Sequence, residues 1–264
     1  MDKPLRMAGT AGVDALYHYQ PFDPDRLADI LTNNRVYCSN PATFNDPWDC
    51  KPFFDVDIVD DPVMHQQIAE RFISTREGGQ HGDPMNDELR RNPKLVKRFL
   101  EAFTETFSNE FVASRFGIYC LSKCADSALM WSHYARNHTG ICLHFRVSGT
   151  KFSNAWEVEY QKEYPVITFG KLTDTIRILI VKSDVWSYEE EFRLVCPRDT
   201  QEPDHPLLLN GGYLSFENRA LTSIIVGCQA DYGAIKTFVA THAPQLPVRK
   251  AVRAPNKYRL IIEG

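Results

Sequence analysis

The sequence has none of the long apolar runs that mark a membrane protein. No stretch approaches the roughly 20 consecutive apolar residues that cross a bilayer. Residues 1–6 also lack the apolar core of a signal peptide. These absences predict a cytoplasmic protein that has no membrane partner.

Paired cysteines and several common catalytic fingerprints are missing as well. The 7 cysteines are odd in number and include no Cys-x-x-Cys pair, which argues against a disulfide framework and predicts a reducing compartment. The chain also has no Gly-x-Ser-x-Gly elbow, no Gly-x-Gly-x-x-Gly turn and no Gly-Lys-Ser/Thr phosphate loop. Four cysteines lie inside apolar runs and are predicted to be small core residues: Cys120, Cys142, Cys196 and Cys228.

The chain also has fewer basic residues than acidic ones. Against 34 acidic residues the chain has 30 basic ones, for a net charge of -4. Bulk charge therefore does not favour non-specific nucleic-acid binding, although a local basic patch stays open. The spacing of His133, His138 and His144 does not put ligands on one helix face, so no metal site is expected.

What the sequence does contain is the pattern of an ordinary globular chain. Its 264 residues and 43% hydrophobic fraction suit one core, and we predict a single domain over residues 1–264. The order is a strand, then helices, then many short strands, which predicts an α+β fold with a mostly antiparallel sheet. A large helical insertion is predicted over about residues 62–115. Its core-facing apolar stripe is Ile68, Phe72, Leu95, Phe99, Phe103 and Phe107.

Two short segments early in the chain contain polar residues that could form part of a site. In a strand, Tyr17 and Tyr19 share one face and His18 takes the other. If the tyrosine face is core, His18 points into a cleft; the alternative is a histidine that faces solvent. The run from Asn45 through Asp46 to Asp49 is either a structural turn or a site that binds a ligand's hydroxyl or amide groups.

Two further segments with candidate site residues lie later in the chain. On a predicted helix, Trp131 and Tyr134 flank one broad stripe whose rings could stack a flat heterocycle, with ordinary helix packing as the alternative. In the run Glu189-Glu190-Glu191, strand alternation puts Glu189 and Glu191 on one face with Arg193. This pattern predicts either a charge network or an exposed edge strand.

Several of these motifs, in one order, resemble the bacterial domain of unknown function 2971. They are LYHY, FNDPWD, IYCLS, MWSHYA, GICLHF, W-x-YEEEFRL and IIVG, and they run from Ala15 to Gly227. Several motifs in a fixed order are more specific than any one of them. The resemblance implies membership of that family.

A second resemblance is to the ADP-ribosyltransferase superfamily, and it implies a split β-sheet core. LYHY, LADIL and RVYCS look like its opening strand, helix and strand, and GIYCLS followed by ALMWSHYA looks like its middle strand and helix. The resemblance implies His18 on the NAD ribose, Tyr134 against the nicotinamide and Glu191 as the catalytic carboxylate, with Glu189 as its upstream partner. The helical insertion and the lack of a serine-threonine-serine strand, for which Ser122 would stand in, depart from the superfamily pattern.

The function that this resemblance implies is an NAD-dependent ADP-ribosyltransferase, such as a toxin or phage-defence effector that modifies nucleic acid or protein. An inhibitory antitoxin partner would then be needed. The alternatives are a non-catalytic nucleotide-binding module and a magnesium-dependent nuclease that uses Asp46, Asp49, Glu189 and Glu191. The residues expected to contact NAD are His18, Tyr19, Ser39, Asn45, Asp46, Ser122, Trp131, Ser132, Tyr134 and Arg193.

Overall fold

A computed structural model describes residues 4–51, 55–75, 83–106, 112–164, 172–200, 202 and 204–264. Its centre is an eight-stranded sheet in the order β12-β11-β10-β4-β1-β3-β8-β5, in which only β10 and β11 are parallel neighbours. Two small ribbons, β2-β9 and β6-β7, accompany it. The prediction of a mixed fold with a mostly antiparallel sheet is confirmed. The strands are β1 (Ala15–Gln20), β2 (Arg35–Tyr37), β3 (Phe116–Ser122), β4 (Ile141–Arg146), β5 (Trp156–Glu157), β6 (Glu159–Gln161), β7 (Val181–Ser183), β8 (Glu191–Pro197), β9 (Tyr213–Ser215), β10 (Leu221–Val226), β11 (Val248–Arg253) and β12 (Leu260–Glu263).

Helices cover both faces of this sheet. On one face, which we call the first face, α1 and α8 pack against Leu16, Leu143 and Phe192. On the opposite, second face, α6 and α7 pack beside Ile118, Cys142 and Val195. No helix in the described part of the chain is long and apolar enough to pass through a bilayer. The helices are α1 (Pro24–Asn33), α2 (Pro62–Thr75), α3 (Pro84–Arg91), α4 (Pro93–Thr106), α5 (Val112–Arg115), α6 (Ala128–Tyr134), α7 (Leu172–Ile180) and α8 (Tyr232–His242).

The helical insertion has a small core of its own. Helices α2 to α5 fall within the predicted range, and Val59, Ile68, Leu89 and Leu100 are buried together. Phe72 contacts the rings of Phe99 and Phe103 as the stripe predicts, but those two rings stay partly exposed. Phe107 lies outside the described residues.

Helix α1 begins at an Asp cap. Asp23 is extended, with φ -127°, and its carboxylate accepts a hydrogen bond of 3.0 Å from the amide of Arg26. Pro24 then occupies the first turn, where its missing N–H costs nothing. The sequence offers both Asp23 and Asp25 as caps of this helix, and the structure identifies Asp23.

We expect Asp23→Ala to lower the free energy of unfolding by about 1 kcal/mol, because the first turn loses an acceptor for its free amides. Asp25→Ala is the matched control, since Asp25 lies in the first turn but does not cap it. Urea denaturation followed by circular dichroism measures both variants. Equal losses in the two would contradict the assignment.

The segment around residues 180–191 differs from the sequence prediction. The spacing over residues 171–182 predicts a helix that includes Lys182. In the structure α7 ends at Ile180, and Lys182 lies in β7, which pairs with β6. The β-branched run that ends in Ile180 and Val181 favours an extended chain there. Residues Asp184–Glu189 form a 3-10 helix, and strand β8 starts only at Glu191.

Candidate active site

Arg193 is the centre of a buried set of charges on the second face. Its guanidinium is 0% exposed and donates to both carboxylate oxygens of Asp49 at 2.7 Å. It also donates to both oxygens of Glu191, at 2.7 and 2.9 Å. The carbonyl of Leu179 accepts a fifth bond at 2.8 Å. Planar, two-pronged pairing of this kind holds both carboxylates in fixed positions.

Lys182 joins the same set from β7. Its ammonium lies 2.5 Å from a carboxylate oxygen of Glu189 and 3.2 Å from one of Glu191. Asp49 is 3.7 Å away. We call Asp49, Lys182, Glu189, Glu191 and Arg193 the buried ion cluster. Its three carboxylates and two cations leave one negative charge in excess when all are ionised.

Helix α6 contributes the hydroxyl that completes this cluster. Tyr134 at the end of α6 donates to Glu189 at 2.5 Å. The helix is fixed at its other end by Ser127, which caps the amide of Met130. Ser122 on β3 donates to the backbone carbonyl of Glu189 at 2.6 Å. Glu189 is therefore held through both its side chain and its backbone.

The two glutamates of the cluster have opposite electrostatic environments. For Glu189, burial and then the charge of Glu191 raise the pKa. For Glu191, burial acts in the same direction, but Arg193 and Lys182 outweigh it and hold the pKa well below its ordinary value. Carboxyl pairs whose pKa values are pushed apart are typical of sites that use one group as an acid or base and the other as a fixed charge.

Two clefts border the buried ion cluster. One, the Glu191 cleft, has a volume of about 550 Å³ and is lined by Glu191, Tyr160, Arg177 and Lys123. The other, the Trp48 cleft, has a volume of about 560 Å³ and is lined by Asp49 and Lys182 together with the exposed rings of Trp48 and Tyr164. A ligand in either cleft would reach cluster residues.

Several predicted residues do come together here. Glu189, Glu191 and Arg193 share the second face, as the alternation argument predicted, although Glu189 reaches it from a 3-10 helix and not from the strand. Glu190 is exposed and takes no ion pair within the described structure. The charge network is therefore confirmed, and the exposed-edge alternative is wrong, since Glu191 and Arg193 are buried.

His18 lies on the other side of the sheet from Glu191. Strand register pairs Tyr17 with Ser122, and Ser122 with Glu191, so these three point to the second face and His18 to the first. There the ring of His18 stacks on Tyr119 and bonds the carbonyl of Cys120 at 2.7 Å. Burial lowers the pKa of His18 to about 4. The expectation that His18, Tyr134 and Glu191 line one cleft is therefore wrong for His18.

Two aromatic candidates are core residues. Trp131 is fully buried, and its indole N–H donates to the carbonyl of Ala125. The ring of Trp131 meets that of Tyr19 edge to face, and the Tyr19 hydroxyl donates to the carbonyl of Cys124 at 2.6 Å. The packing alternative is confirmed for Trp131, which has no ring face left to stack a heterocycle.

The remaining candidates lie at the margins. Ser39 pairs through its backbone with Ile118 at the edge of β3. The carboxylate of Asp46 accepts from the amide of Trp48 at 3.0 Å and lines the Trp48 cleft, so Asp46 has both a structural role and access to that cleft. Asn45 is exposed and Ser132 half-buried, and neither lines the Glu191 cleft.

The sequence reasoning missed Lys182 and the pairing of Asp49 with Arg193. Lys182 follows an apolar run that ends in Ile180 and Val181, and a lone lysine in such a run signals a buried cation with acidic partners. Asp49 was expected in a turn, in a ligand site or on magnesium, and not in a pair with Arg193. In the described residues no group of three or more His, Cys, Asp or Glu is arranged to hold a metal ion. Lys182 and Arg193 occupy the positions between the carboxylates that magnesium would need.

Predicted core cysteines divide into two kinds. Cys142 and Cys196 are buried as expected, whereas Cys120 and Cys228 are partly exposed. All seven are free thiols, which agrees with the absence of a disulfide framework.

A comparison with protein families matches part of the chain. Residues 130–194 match a family described as "Protein of unknown function (DUF2971)". This segment contains Tyr134, Lys182, Glu189, Glu191 and Arg193, and thus all of the buried ion cluster except Asp49. No curated protein and no solved structure matches the chain. The resemblance over Ala15 to Gly227 stays a prediction outside the matched segment.

Proposed function

We propose that the chain is an NAD-dependent ADP-ribosyltransferase whose catalytic carboxylate is Glu191. The observation that carries the proposal is the hydrogen bond of 2.5 Å from Tyr134 to Glu189 in the buried ion cluster. Two of the three elements implied by the superfamily resemblance, the tyrosine and the paired glutamates, thereby meet at one place. His18 has no part in the proposed site.

The proposed reaction breaks the bond between the nicotinamide nitrogen and C1′ of the ribose. Nicotinamide leaves with the bonding electron pair, and an acceptor nucleophile forms the new bond to C1′ and gives up its proton. Positive charge develops on the ribose between these events. A fixed carboxylate in a site that excludes water stabilises such charge more strongly than one in bulk water. Glu191 meets that need, because Arg193 and Lys182 keep it ionised.

The Glu191 cleft supports NAD as the substrate. Its volume of about 550 Å³ lies within the range of small-molecule sites. Lys123 lines the cleft and can pair with a phosphate, and the ring of Tyr160 offers an apolar wall. Arg177 is already paired with Glu159 at 2.7 Å. The acidic lining residues are Glu157, Glu159, Glu190 and Glu191. Glu189 does not line this cleft, and it would act as a positioning residue through its contacts with Tyr134 and with Lys182, which also contacts Glu191.

The test measures nicotinamide release and label transfer from labelled NAD in the presence of cell lysate. We expect Glu191→Gln to slow release about 100-fold or more, because the fixed charge at the developing cation is lost. Glu101→Gln, on the exposed side of α4, is the matched control and should act like wild type. Tyr134→Phe keeps the ring, removes the hydroxyl and should retain a folded chain with slower release. No release by wild type, or equal rates for wild type and Glu191→Gln, would contradict the proposal.

One observation favours a non-catalytic nucleotide-binding module as a second candidate. Every carboxylate of the buried ion cluster already has a cationic partner in the structure. Such a cluster can serve as a rigid wall of a binding cleft without taking part in chemistry. Saturable NAD binding by calorimetry, with no nicotinamide released, would identify this second function.

A further inference from the structure

A third cleft lies on the second face, at the opposite edge of the sheet from the buried ion cluster. It has a volume of about 730 Å³ and is bounded by His138, Cys228 and the turn that joins β11 to β12. Arg253, Lys257 and Arg259 line it, and no Asp or Glu is among its described lining residues. In a chain whose net charge is -4, this cleft, which we call the basic cleft, is a local exception that favours an anionic ligand.

The three cations of the basic cleft are available to a ligand. Arg253, Lys257 and Arg259 are exposed, and none forms a salt bridge within the described structure. The backbone of their turn is fixed, since Ala254 donates to the carbonyl of Arg259 at 3.0 Å. The spacing of the charges is therefore set by the fold, while their ends remain free to pair with phosphates.

An aromatic ring stands between two of these cations. Tyr258 is fully exposed, and in the sequence it separates Lys257 from Arg259. A large ring held in water costs solvation free energy unless a ligand covers it. Asn256 lines the same cleft, and its side-chain amide can bond the edges of bases. The amide of Gln229 also lies there, but it donates to the carbonyl of Asn137 at 3.4 Å. Cations that alternate with an exposed aromatic are the arrangement that binds the phosphates and stacks the bases of a single strand.

His138, which lines the basic cleft, ends a segment of uncommon backbone conformation. Arg136, Asn137 and His138 all have positive φ, at 46°, 54° and 65°. A Cβ on Gly227 would lie 2.2 Å from the carbonyl oxygen of His138, so only glycine permits this approach. The same oxygen accepts a bond of 3.0 Å from the amide of Gln229. Consecutive residues in this region are costly and are kept where a precise local geometry is needed.

We propose that the basic cleft binds single-stranded nucleic acid, with Arg253, Lys257 and Arg259 on phosphates and Tyr258 stacked on a base. The proposal goes beyond ADP-ribosyl transfer and does not rest on it, since binding needs no NAD. Alternation places Arg253 on the same face as Ala251, which is the second face. Five strand spacings, roughly 24 Å, separate β11 from β8. A strand bound here that extends across the sheet would lead towards the buried ion cluster.

The test uses the whole chain without NAD and fluorescein-labelled 12-mers of dT and U, read by fluorescence anisotropy at several salt concentrations. A 12-base-pair duplex and inorganic polyphosphate serve as the competing probes. We expect the single strands to bind more tightly than the duplex and to displace polyphosphate. Preference for dT or U identifies DNA or RNA as the source of the strand.

Two variants separate the charge from the ring. Lys257→Gln with Arg259→Gln removes two phosphate contacts, so affinity should fall at least about 10-fold and the slope of log affinity against log salt should drop by about 1.4. Tyr258→Ala should weaken binding about 5-fold or more without changing that slope, because stacking carries no charge. Lys94→Gln with Arg98→Gln, an equal loss of charge on the exposed side of α4, is the matched control.

The outcomes are distinct. Equal losses in the control pair and the cleft pair, or duplex binding as tight as single-strand binding, would overturn the proposal. So would a Tyr258→Ala variant that binds like wild type, because the cleft would then bind polyanions in general. If the chain binds single strands but releases no nicotinamide, the proposed role of the basic cleft is supported and the proposed transferase activity is contradicted. The two proposals can therefore fail independently.

Discussion

Replacing Arg193 by methionine is expected to lower the free energy of unfolding by about 3–5 kcal/mol, because it leaves buried carboxylates without their main partner. Arg193 holds Asp49 through two bonds of 2.7 Å and Glu191 through two more. Methionine fills much of the same volume, so the loss reports the charge and not an empty space. Lys182 alone would then face three carboxylates.

The measurement is urea denaturation at pH 7, with Arg6→Met as the matched control. Arg6 pairs with Glu157 at 2.9 Å, but both side chains are substantially exposed. An exposed pair of this kind contributes at most about 1 kcal/mol. A loss for Arg193→Met no larger than that for Arg6→Met would show that the buried ion cluster does not hold the fold together.

Glu191→Gln is expected to lower the free energy of unfolding much more than Glu189→Gln, because the two glutamates have different partners in the buried ion cluster. Glu191→Gln breaks the paired bonds to a fully buried guanidinium, and we expect a loss of about 3 kcal/mol at pH 7. Glu189→Gln should cost less than about 1 kcal/mol, since Lys182 keeps Glu191 and Asp49 as partners and the amide removes a buried charge.

The pH dependence of these two variants has opposite signs. The pKa of Glu191 falls from 4.5 to about 2 on folding. The stability that Glu191 contributes is therefore present above pH 4.5 and is lost as the pH falls towards 2. The pKa of Glu189 is raised, so its contribution is greatest below its ordinary pKa and declines as the pH rises through the folded value.

Urea midpoints between pH 3 and pH 8 are sufficient to check this pair. The difference in urea midpoint between wild type and Glu191→Gln should become smaller in acid. The urea midpoint of Glu189→Gln should rise relative to that of wild type as the pH rises. Two parallel curves would mean that the glutamates share one environment. That result would also remove the argument that Glu191 is the fixed charge of the proposed reaction.

Alternation along the sequence predicted which residues of one strand share a face, but not which faces of different strands lie on the same side of the sheet. Alternation correctly put Glu191 with Arg193 and correctly put His18 opposite Tyr17. It could not tell whether His18 or Tyr17 shares a face with Glu191, because that depends on the register of β1 with β3 and of β3 with β8. Register between strands far apart in sequence is set by the packed sheet and not by either strand alone.

Lys182 and Asp49 show the same limit for the site. Asp49 lies 144 residues from its partner Arg193 along the chain, and no local spacing connects them. The helix predicted through Lys182 is reasonable by periodicity, yet β6 offers a parallel partner and the chain becomes a strand after Ile180. Helix spacing left Trp131 open between core packing and ligand stacking, and only the packed structure shows that its ring is fully buried.

The turn at Glu190 constrains the backbone at position 190, whereas at Glu189 and Glu191 the buried ion cluster constrains the side chain. Glu190 has φ 43° and ψ 52°, the left-handed conformation, and this reversal lets Glu189 and Glu191 approach the same ammonium. At position 190 the backbone is restrictive, whereas the side chain is exposed and forms no ion pair within the described structure, so glycine or asparagine would fit the backbone and valine would not. At positions 189 and 191 the carboxylates are required and the backbone is ordinary. Among relatives of this chain, the middle glutamate should vary towards small or amide residues while its neighbours stay acidic.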